Sequence, residues 1–458
     1  MIDTGALRKK ILKLAVTGNL SKQMDSDTPV SKELEVYVPA QLDIELEEIP
    51  DSWKYCKFDE VIINRDSERI PVSVADRKKL DKIYDYYGAS GVIDKVDKYL
   101  FDKDLLLIGE DGANLLSRST PIVFIARGKY WVNNHAHVLD ATEHILLEYA
   151  ALIINSMSLV PYVTGAAQPK LSQGMMNKIA LPVAPLEEQK RIVDTVKTAF
   201  EMLDQIDKLQ KQYSSDLEVL KSKIIDAGIQ GKLTEQLPED GTAEELLEQI
   251  REKKDQMIKE GLITKESKSQ IINDEDKTFD VPKNWAYARV QDVATYITDY
   301  VANGSFATLK ANTTTYKEPN YAVFVRTLDL GAEFKNDLSY IDEASYEFLK
   351  KSKLYGGELI LPNIGASIGK AFIMPDLGMP MSLAPNSVMI KFENATLNKY
   401  FYYVFQSSYG KGILMNIQGG AATPKFSKTD LRKMVVMLPP LAEQERIVNK
   451  IEEIFELL

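Results

Sequence analysis

The sequence predicts an α+β protein: two mixed α/β globules separated by long antiparallel, coiled-coil-like helices, arranged as an internal repeat with pseudo-two-fold symmetry. Three observations predict it. The string PLEEQKRIV at 185–193 recurs as PLAEQERIV at 440–448, identical at seven of nine positions. Downstream of each copy the apolar residues step by three and four, the signature of a helix with one buried face. Between the copies lie short β-type runs punctuated by Gly, Pro, Asn and Asp.

The repeat extends well beyond that string. GAAQPKLS (165–172) mirrors GAATPKFS (420–427) at the same offset of 255, IPDSW (49–53) matches VPKNW (281–285), and DLLLIGEDGAN (104–114) matches ELILPNIGAS (358–367). LRKKILKLAVTGNL (7–20) resembles LKSKIIDAGIQGKL (220–233) at an offset of 213, so the later copy carries extra residues in its linker and its variable core. A duplication found first changes every later reading, because each feature must then be judged twice.

Taken in order, 1–49 is an N-terminal helical segment that packs with the C-terminal helix, and 50–182 is the first globule, with runs such as DLLLIG and PIVFIARGKYWV. Residues 183–234 form a central helix: Val193, Val196, Phe200 and Leu203, then Tyr213, Leu217, Leu220 and Ile224, give it a seam. No Pro or Gly falls between Leu186 and Ala227, so one helix of about 42 residues and ~63 Å is expected, stopping at Gly228 or Gly231. Residues 235–281 are an acidic linker with a short helix opened by a Thr242–Glu245 capping box. The second globule, 282–439, contains YAVFVRTL and ELILPNI, and 440–458 is the C-terminal helix, with Val448, Ile451, Phe455 and Leu458 on its stripe. The second long helix is therefore split: its first half is the C-terminal end of the chain and its last turns are the N-terminal end.

Composition narrows the class. With 45% hydrophobic residues the chain is not disordered, and no apolar run reaches the ~18 residues a membrane span requires. Arg8, Lys9, Lys10 and Lys13 interrupt the first turns, which therefore lack the apolar stretch of a secretory signal. The single cysteine, Cys56, cannot build a disulfide framework, which fits a reducing cytoplasm. The net charge of −11 argues against a nucleic-acid partner until it is divided by region. Residues 50–182 carry −1 and 282–439 carry +4, leaving −14 on the helices, linker and N-terminal segment. The acid belongs to the scaffold, and the globules remain possible phosphate-binding surfaces.

Catalytic motifs are absent. An adenine methyltransferase needs an Asn/Asp-Pro-Pro-Tyr/Phe loop for the flipped base and a Gly-rich cofactor loop. The nearest strings are Leu438-Pro439-Pro440-Leu441, which opens a helix, and Gly365 to Lys370, one residue short of a P-loop and followed by Ala371 where a magnesium-binding hydroxyl belongs. His135 and His137 share a strand face as a metal pair could, but no third ligand is near in sequence, so no metal site is expected.

The order and duplication of these motifs resemble the specificity (S) subunit of type I restriction-modification systems. The carriers of the resemblance are Pro185 to Val193 and Pro440 to Val448, the turns Gly18–Leu20 and Gly231–Leu233, the entries Ile49–Trp53 and Val281–Trp285, and GEDGAN…KYWVNNHAHVL across Gly109–Leu139. One departure is that the C-terminal helix stops at Leu458, shorter than its central counterpart. The resemblance implies that the globules are target recognition domains, each reading half of a split double-stranded DNA target. It also implies that the helices act as a spacer and bind two methyltransferase subunits, with restriction/translocase subunits joining the complex. The chain itself is then a cytoplasmic, non-catalytic subunit without a cofactor, S-adenosylmethionine and ATP/Mg belonging to its partners. Two other readings are a coiled-coil scaffold whose globules bind protein, and a detached recognition module of another restriction enzyme class.

Base readout needs Arg, Lys, Asn, Gln, Ser or Thr on loops or strand edges. In the first globule the densest such set is Asn114, Ser117, Arg118, Lys129, Tyr130, Asn133, Asn134 and His135, with Gln168 and Lys170 near its end. In the second it is Arg326, Thr327, Asn363, Ser367, Lys370, Asn386, Lys425 and Lys428. Leu186, Gln189, Arg191, Leu441, Gln444 and Arg446 occupy matching places and are candidates for partner contacts; the alternative is that the leucines are core and the glutamines cap or bond within the bundle.

Overall fold

The run Leu105–Gly109 is apolar at every position because its sheet is buried on both faces. Leu106 and Ile108 point into one core with Trp53, Tyr149 and Ile192, while Leu105 and Leu107 point into another with Phe101, Tyr130 and Val138, the period of two expected of a strand. In the computed structural model, which describes residues 1–39, 44–165, 168–417 and 424–458, the chain folds as two units, Met1–Gln212 and Tyr213–Leu458. The repeated strings GAAQPKLS and GAATPKFS lie partly outside the described residues, at 166–167 and 420–423.

In the first unit the central sheet is antiparallel, in the order Ile62–Asn64, Ala136–Ala141, Leu105–Gly109, Val123–Ala126. A second sheet, Gly91–Val96, Tyr84–Gly88, Lys129–Val132 and Phe101–Asp102, contains one parallel pairing, Tyr84–Gly88 with Lys129–Val132. Helix α1 (Thr4–Val16) starts at Asp3, whose carboxylate accepts the Ala6 N–H at 2.9 Å. Helix α2 (Leu147–Ser156) supplies Tyr149, Ala150, Ile153 and Ile154 to the core. The ladder of Lys54–Lys57 with Ala180–Val183 leads into α3 (Leu186–Ile229), a 44-residue helix shared by the two units. Within the first unit α1 runs antiparallel to the start of α3: Thr4 bonds Asp207 at 2.6 Å and Arg8 bonds Asp204 at 2.7 Å.

The second unit repeats the plan. Its central sheet runs Tyr296–Asp299, Ser387–Lys391, Leu359–Pro362, Phe372–Ile373, all antiparallel. The companion sheet is five-stranded, and its one parallel pairing is Ala322–Val325 with Met381–Leu383. Helix α4 (Ala243–Lys259) opens with the expected Thr242–Glu245 capping box and buries Ala243, Leu246 and Ile250. After α5 (Ala395–Gln406), the ladder of Ala286–Arg289 with Val435–Leu438 leads into α6 (Leu441–Glu456). Helix α6 packs antiparallel on the last turns of α3, where a Cβ on Gly228 would stand 3.1 Å from Ile447 Cγ2 and 3.2 Å from Ile451 Cδ1. Each end of the chain thus pairs with its own part of α3.

The seam differs from the expected one in its middle. Val196 and Leu203 are buried, but Tyr213 and Leu220 are exposed, and Ile225 and Ile229 hold the second half of the contact. An α-helix drifts by ~20° per heptad from a 3.5-residue repeat, so a stripe read at fixed heptad spacing slides off the packed face over three heptads. The helix ends at Ile229, with Gly231 in the left-handed region at φ 68° and Lys232 N–H returned to Ala227 O at 2.9 Å. Among the described residues no helix is long and apolar enough to cross a membrane.

Candidate nucleic-acid interface

At one end of the central sheet of the first unit, three loops are laced together through their main chains. Glu110 N–H donates to His135 O at 2.8 Å, Gly112 N–H to Pro169 O at 3.0 Å and Leu171 N–H to Glu110 O at 2.8 Å. The second unit makes the same three bonds: Asn363 N–H to Asn386 O at 3.1 Å, Gly365 N–H to Pro424 O at 2.9 Å and Phe426 N–H to Asn363 O at 3.1 Å. The isolated bridges Asp111 with Lys170 and Ile364 with Lys425 complete the correspondence. Each unit therefore presents a platform of identical backbone wiring and different side chains.

On the first platform Asn134, His135, Gln168 and Lys170 are exposed. His135 Nδ1 lies 2.8 Å from Asp111 Oδ2, and Lys170 lies 3.1 Å from Glu110. Asn133 is buried and shapes the turn, its Oδ1 accepting the His135 N–H at 2.8 Å. Asn114 and the exposed Ser117 follow the first loop, and Asn114 Oδ1 accepts from Ser119 Oγ and Thr120 N–H, both at 3.1 Å. On the second platform Asn386, Lys425 and Lys370 are exposed and Asn363 and Ser367 are half-buried. Asn386 adopts φ 75°, a left-handed conformation that Asn tolerates better than most residues. Among the described residues neither Lys370 nor Lys425 has a carboxylate partner within 4 Å.

Several of the expected readers are spent elsewhere. Tyr130 is 1% exposed, with its hydroxyl on Lys103 O, because it is an inward position of the strand Lys129–Val132. Lys129 sits at the opposite end of that strand from Asn133, beside Asp102 and over the Tyr99 ring. Arg118 donates to Ile154 O and, at 2.7 Å, to Met157 O, closing the C-terminal end of α2; burial pushes its guanidinium pKa down. Arg326 is held by the buried Asp329 at 2.6 Å, Thr327 Oγ1 is 3.0 Å from Ser387 Oγ, and Lys428 donates to Asp299 at 2.7 Å. Buried polar groups must find partners, and a residue type alone does not reveal whether its partner is internal.

Sequence reasoning missed the ionic cluster under the first platform: Asp66, Arg69, Glu110 and the buried His137. Asp66, Glu110 and His137 offer ligand atoms within 4.8 Å of one another. Arg69 bonds Glu110 at 2.8 Å and approaches Asp66 at 3.4 Å, and Lys170 takes the other Glu110 oxygen. The carboxylates are thus already neutralised by side-chain cations. Burial pushes the Glu110 carboxyl up, and hydrogen bonds from Arg69 and Lys170 more than offset it, leaving it below the usual carboxylate range. The detectable signal was register: matching DLLLIGEDGAN to ELILPNIGAS sets a carboxylate, Glu110, where the other copy has an amide, Asn363.

Of the candidate partner contacts, Leu186 and Leu441 are 40% and 38% exposed. Gln189 and Gln444 are fully buried: Gln189 bonds Leu146 N–H, His144 O and Ala184 O, and Gln444 donates to Pro439 O at 2.8 Å. Arg191 pairs with Asp27 at 2.6 Å and Arg446 with Asp240 at 2.5 Å.

Comparison with known proteins agrees with this duplicated plan. The family model described as the type I restriction modification DNA specificity domain matches residues 50–213 and 282–458. A putative type I restriction enzyme specificity subunit from Haemophilus influenzae is 25% identical over 377 residues, covering 81% of this chain and 80% of its own length. The EcoEI specificity subunit of Escherichia coli is 20% identical, covering 98% of this chain and 89% of its own. A solved structure described as revealing complex assembly and conformational transition of the type I R-M system superposes with a TM-score of 0.59 at 14% identity, over 90% of this chain and 92% of its own. With both halves of the repeat matched by one family model, the chain belongs to the type I restriction-modification DNA specificity family.

Proposed function

We propose that this specificity subunit reads a bipartite duplex DNA target, one half on each loop platform, and does no chemistry itself. The observation that carries the reading is the duplicated platform: two sets of three loops with equivalent main-chain bonds and a shared lysine, Lys170 or Lys425, but otherwise different exposed side chains, among them His135 on the first against Asn386 and Lys370 on the second. Equal frames with unequal readers suit two different half-sites, and two half-sites joined in one chain bind more tightly than either alone because the second contact is intramolecular. Among the polar candidates, Asn134, His135, Gln168, Lys170, Lys370, Asn386 and Lys425 stand on the platforms as readers or phosphate contacts. Arg118, Tyr130, Arg326 and Lys428 serve as support.

Leu186 and Leu441, exposed at the matching starts of α3 and α6, suit one kind of methyltransferase subunit docking twice. The methyl donor S-adenosylmethionine, and the ATP and Mg used by restriction/translocase subunits, would be held by those partners in the cytoplasm. The test is methylation of a randomised DNA library by the chain co-purified with its methyltransferase subunits. A two-part target with a fixed unread spacer is expected, and substitutions at Asn386 and Lys370 should alter one part only. A continuous target sinks the reading.

A further inference from the structure

We propose that Ile364 reads a thymine in the second unit's half of the target, by contact with the C5 methyl group in the major groove, at the place where the first unit carries Asp111. This rests on the DNA-reading assignment above and names one determinant within it.

The shared main-chain wiring aligns the platforms residue by residue. Glu110 and Asn363 each donate a backbone N–H to one neighbouring loop and accept one from the other, so they are equivalent. The next residue is Asp111 in the first unit and Ile364 in the second, and each forms the isolated bridge to the platform lysine, Lys170 or Lys425. Glu110 and Asn363 are turned toward the protein: Glu110 meets Arg69, and Asn363 Nδ2 donates to Phe426 O at 3.0 Å. In extended backbone the following side chain takes the opposite side. Asp111 accordingly lies 2.8 Å from Nδ1 of the exposed His135. Ile364 has extended dihedrals, φ −137° and ψ 134°, and is 37% exposed.

Packing does not account for an aliphatic residue here. Among the described residues Ile364 joins none of the second unit's apolar clusters, whereas Ile368, four residues on, is buried in the main core. The first unit builds the same bridge with an aspartate, so the backbone does not require an apolar side chain. The platform neighbours of Ile364 are exposed and polar or cationic: Asn386, whose carbonyl accepts the Asn363 N–H, and Lys425, its bridge partner. Lysine suits phosphate and an amide suits base edges. The apolar side chain beside them needs an apolar partner, and the one that a base edge offers in the major groove is the thymine methyl. A carboxylate at the same place accepts hydrogen bonds instead, as from cytosine N4. The two units thus differ in base preference at one matched position.

The test measures binding by the complex of the chain with its methyltransferase subunits, on the target identified from the randomised library. Each thymine of the half altered by substitutions at Asn386 and Lys370 is replaced in turn by deoxyuridine, which removes the C5 methyl and keeps the base-pairing groups. At one position uracil should weaken binding about fourfold, the worth of one methyl group withdrawn from water. Ile364→Ala should weaken binding to the thymine target and abolish the difference between thymine and uracil there. Ile364→Asp, which installs the first unit's residue, should abolish it too. Both variants should fold, because the side chain lies outside the apolar clusters, and circular dichroism checks this. No penalty at any thymine of that half, a half made only of G·C pairs, or an Ile364→Ala complex that keeps the full penalty overturns the assignment to Ile364 alone. Binding indifferent to scrambling of either half overturns the DNA reading and this assignment with it. The uracil series on the unaltered complex stands whether or not a variant folds.

Discussion

Trp53 donates its indole N–H to the fully buried carboxylate of Glu188 at 2.8 Å. Ser21 and Gln23 donate to the other oxygen of Glu188, each at 2.7 Å, so a charge removed from water is met by three donors that reach it from the chain beyond α1 and from the entry of the first unit. Trp285, Thr234 and Gln236 surround Glu443 in the same way, at 2.8, 3.2 and 2.8 Å. This constellation is what the short repeated strings encode: the Trp of I/V-P-x-x-W, the Glu of P-L-x-E-Q and the turn after each Gly-x-Leu.

Glu188→Ala should therefore be among the most damaging single changes in the first unit. It strands the buried Trp53 indole N–H and takes the acceptor from the half-buried Ser21 and the exposed Gln23, and the expected loss is about 3 kcal/mol, with Trp53→Phe costing about 2 kcal/mol by removing one hydrogen bond to a charged acceptor. Glu443→Ala should act equally on the second unit. Urea unfolding followed by circular dichroism measures both. A loss below about 1 kcal/mol for Glu188→Ala would show that the cluster contributes little beyond its packing.

Gly18 and Gly231 mark the turns that bring those donors into place. They sit at φ 70° and 68°, and a Cβ on either would collide with the ring of Pro50 or Pro282 and stand 3.3 Å from the indole of Trp53 or Trp285. Alanine at either position should cost more than the ~1 kcal/mol of left-handed strain alone, because the proline cannot move without displacing the tryptophan. Thermal unfolding of Gly18→Ala and Gly231→Ala should show falls of several degrees. An unchanged midpoint would mean that the turn relaxes without cost.

The architecture was legible because duplication makes weak signals count twice. The long helix from Leu186, the Thr242–Glu245 cap and the strand within DLLLIG all follow from pattern. The site was less legible, because a polar residue reads the same whether it faces DNA or a neighbour. Tyr130 illustrates a recoverable miss: in Lys129–Val132 it alternates with Trp131 and lies in phase with Val132, an inward position. Arg118 is different. Its target is the C-terminal end of α2, more than thirty residues away, and no local pattern announces that pairing. His137 was visible as a residue but not as a link, since its two partners come from segments 71 and 34 residues distant.

Arg191 with Asp27 and Arg446 with Asp240 make stability depend on acid. The Arg191 guanidinium, through its hydrogen bond, holds the Asp27 carboxyl below the usual range, and Arg446 does the same for Asp240. A carboxyl whose folded pKa is depressed stabilises fully above its unfolded value, ~3.9, and that contribution disappears as pH falls through the lower folded value. Asp27→Asn and Asp240→Asn should each destabilise at neutral pH and lose little further stability below about pH 4. Wild-type protein should show the steeper decline, measured by unfolding midpoints at stepped pH. Parallel curves for wild type and the double variant would rule these pairs out as the source.

Lys170 and Lys425 stand at equivalent places on the two platforms, but their surroundings differ: Lys170 is 3.1 Å from Glu110, whereas no carboxylate approaches Lys425 within 4 Å among the described residues. A lysine that neutralises a phosphate releases about one condensed counterion, which sets the salt dependence of binding at a slope of about −0.9 per contact. Replacing Lys425 with Met should therefore weaken binding to every sequence and flatten the salt slope by close to one unit. The same change at Lys170 should do less, because Lys170 must first share its charge with Glu110, and removing it leaves that carboxylate facing the DNA with Arg69 alone. Glu110→Gln separates these effects: it frees Lys170, so affinity should rise at low salt and the slope should steepen. Filter binding at several salt concentrations with the methyltransferase complex measures all three. If Lys170→Met and Lys425→Met lower affinity only for particular sequences while the slope stays constant, these lysines read bases rather than phosphates.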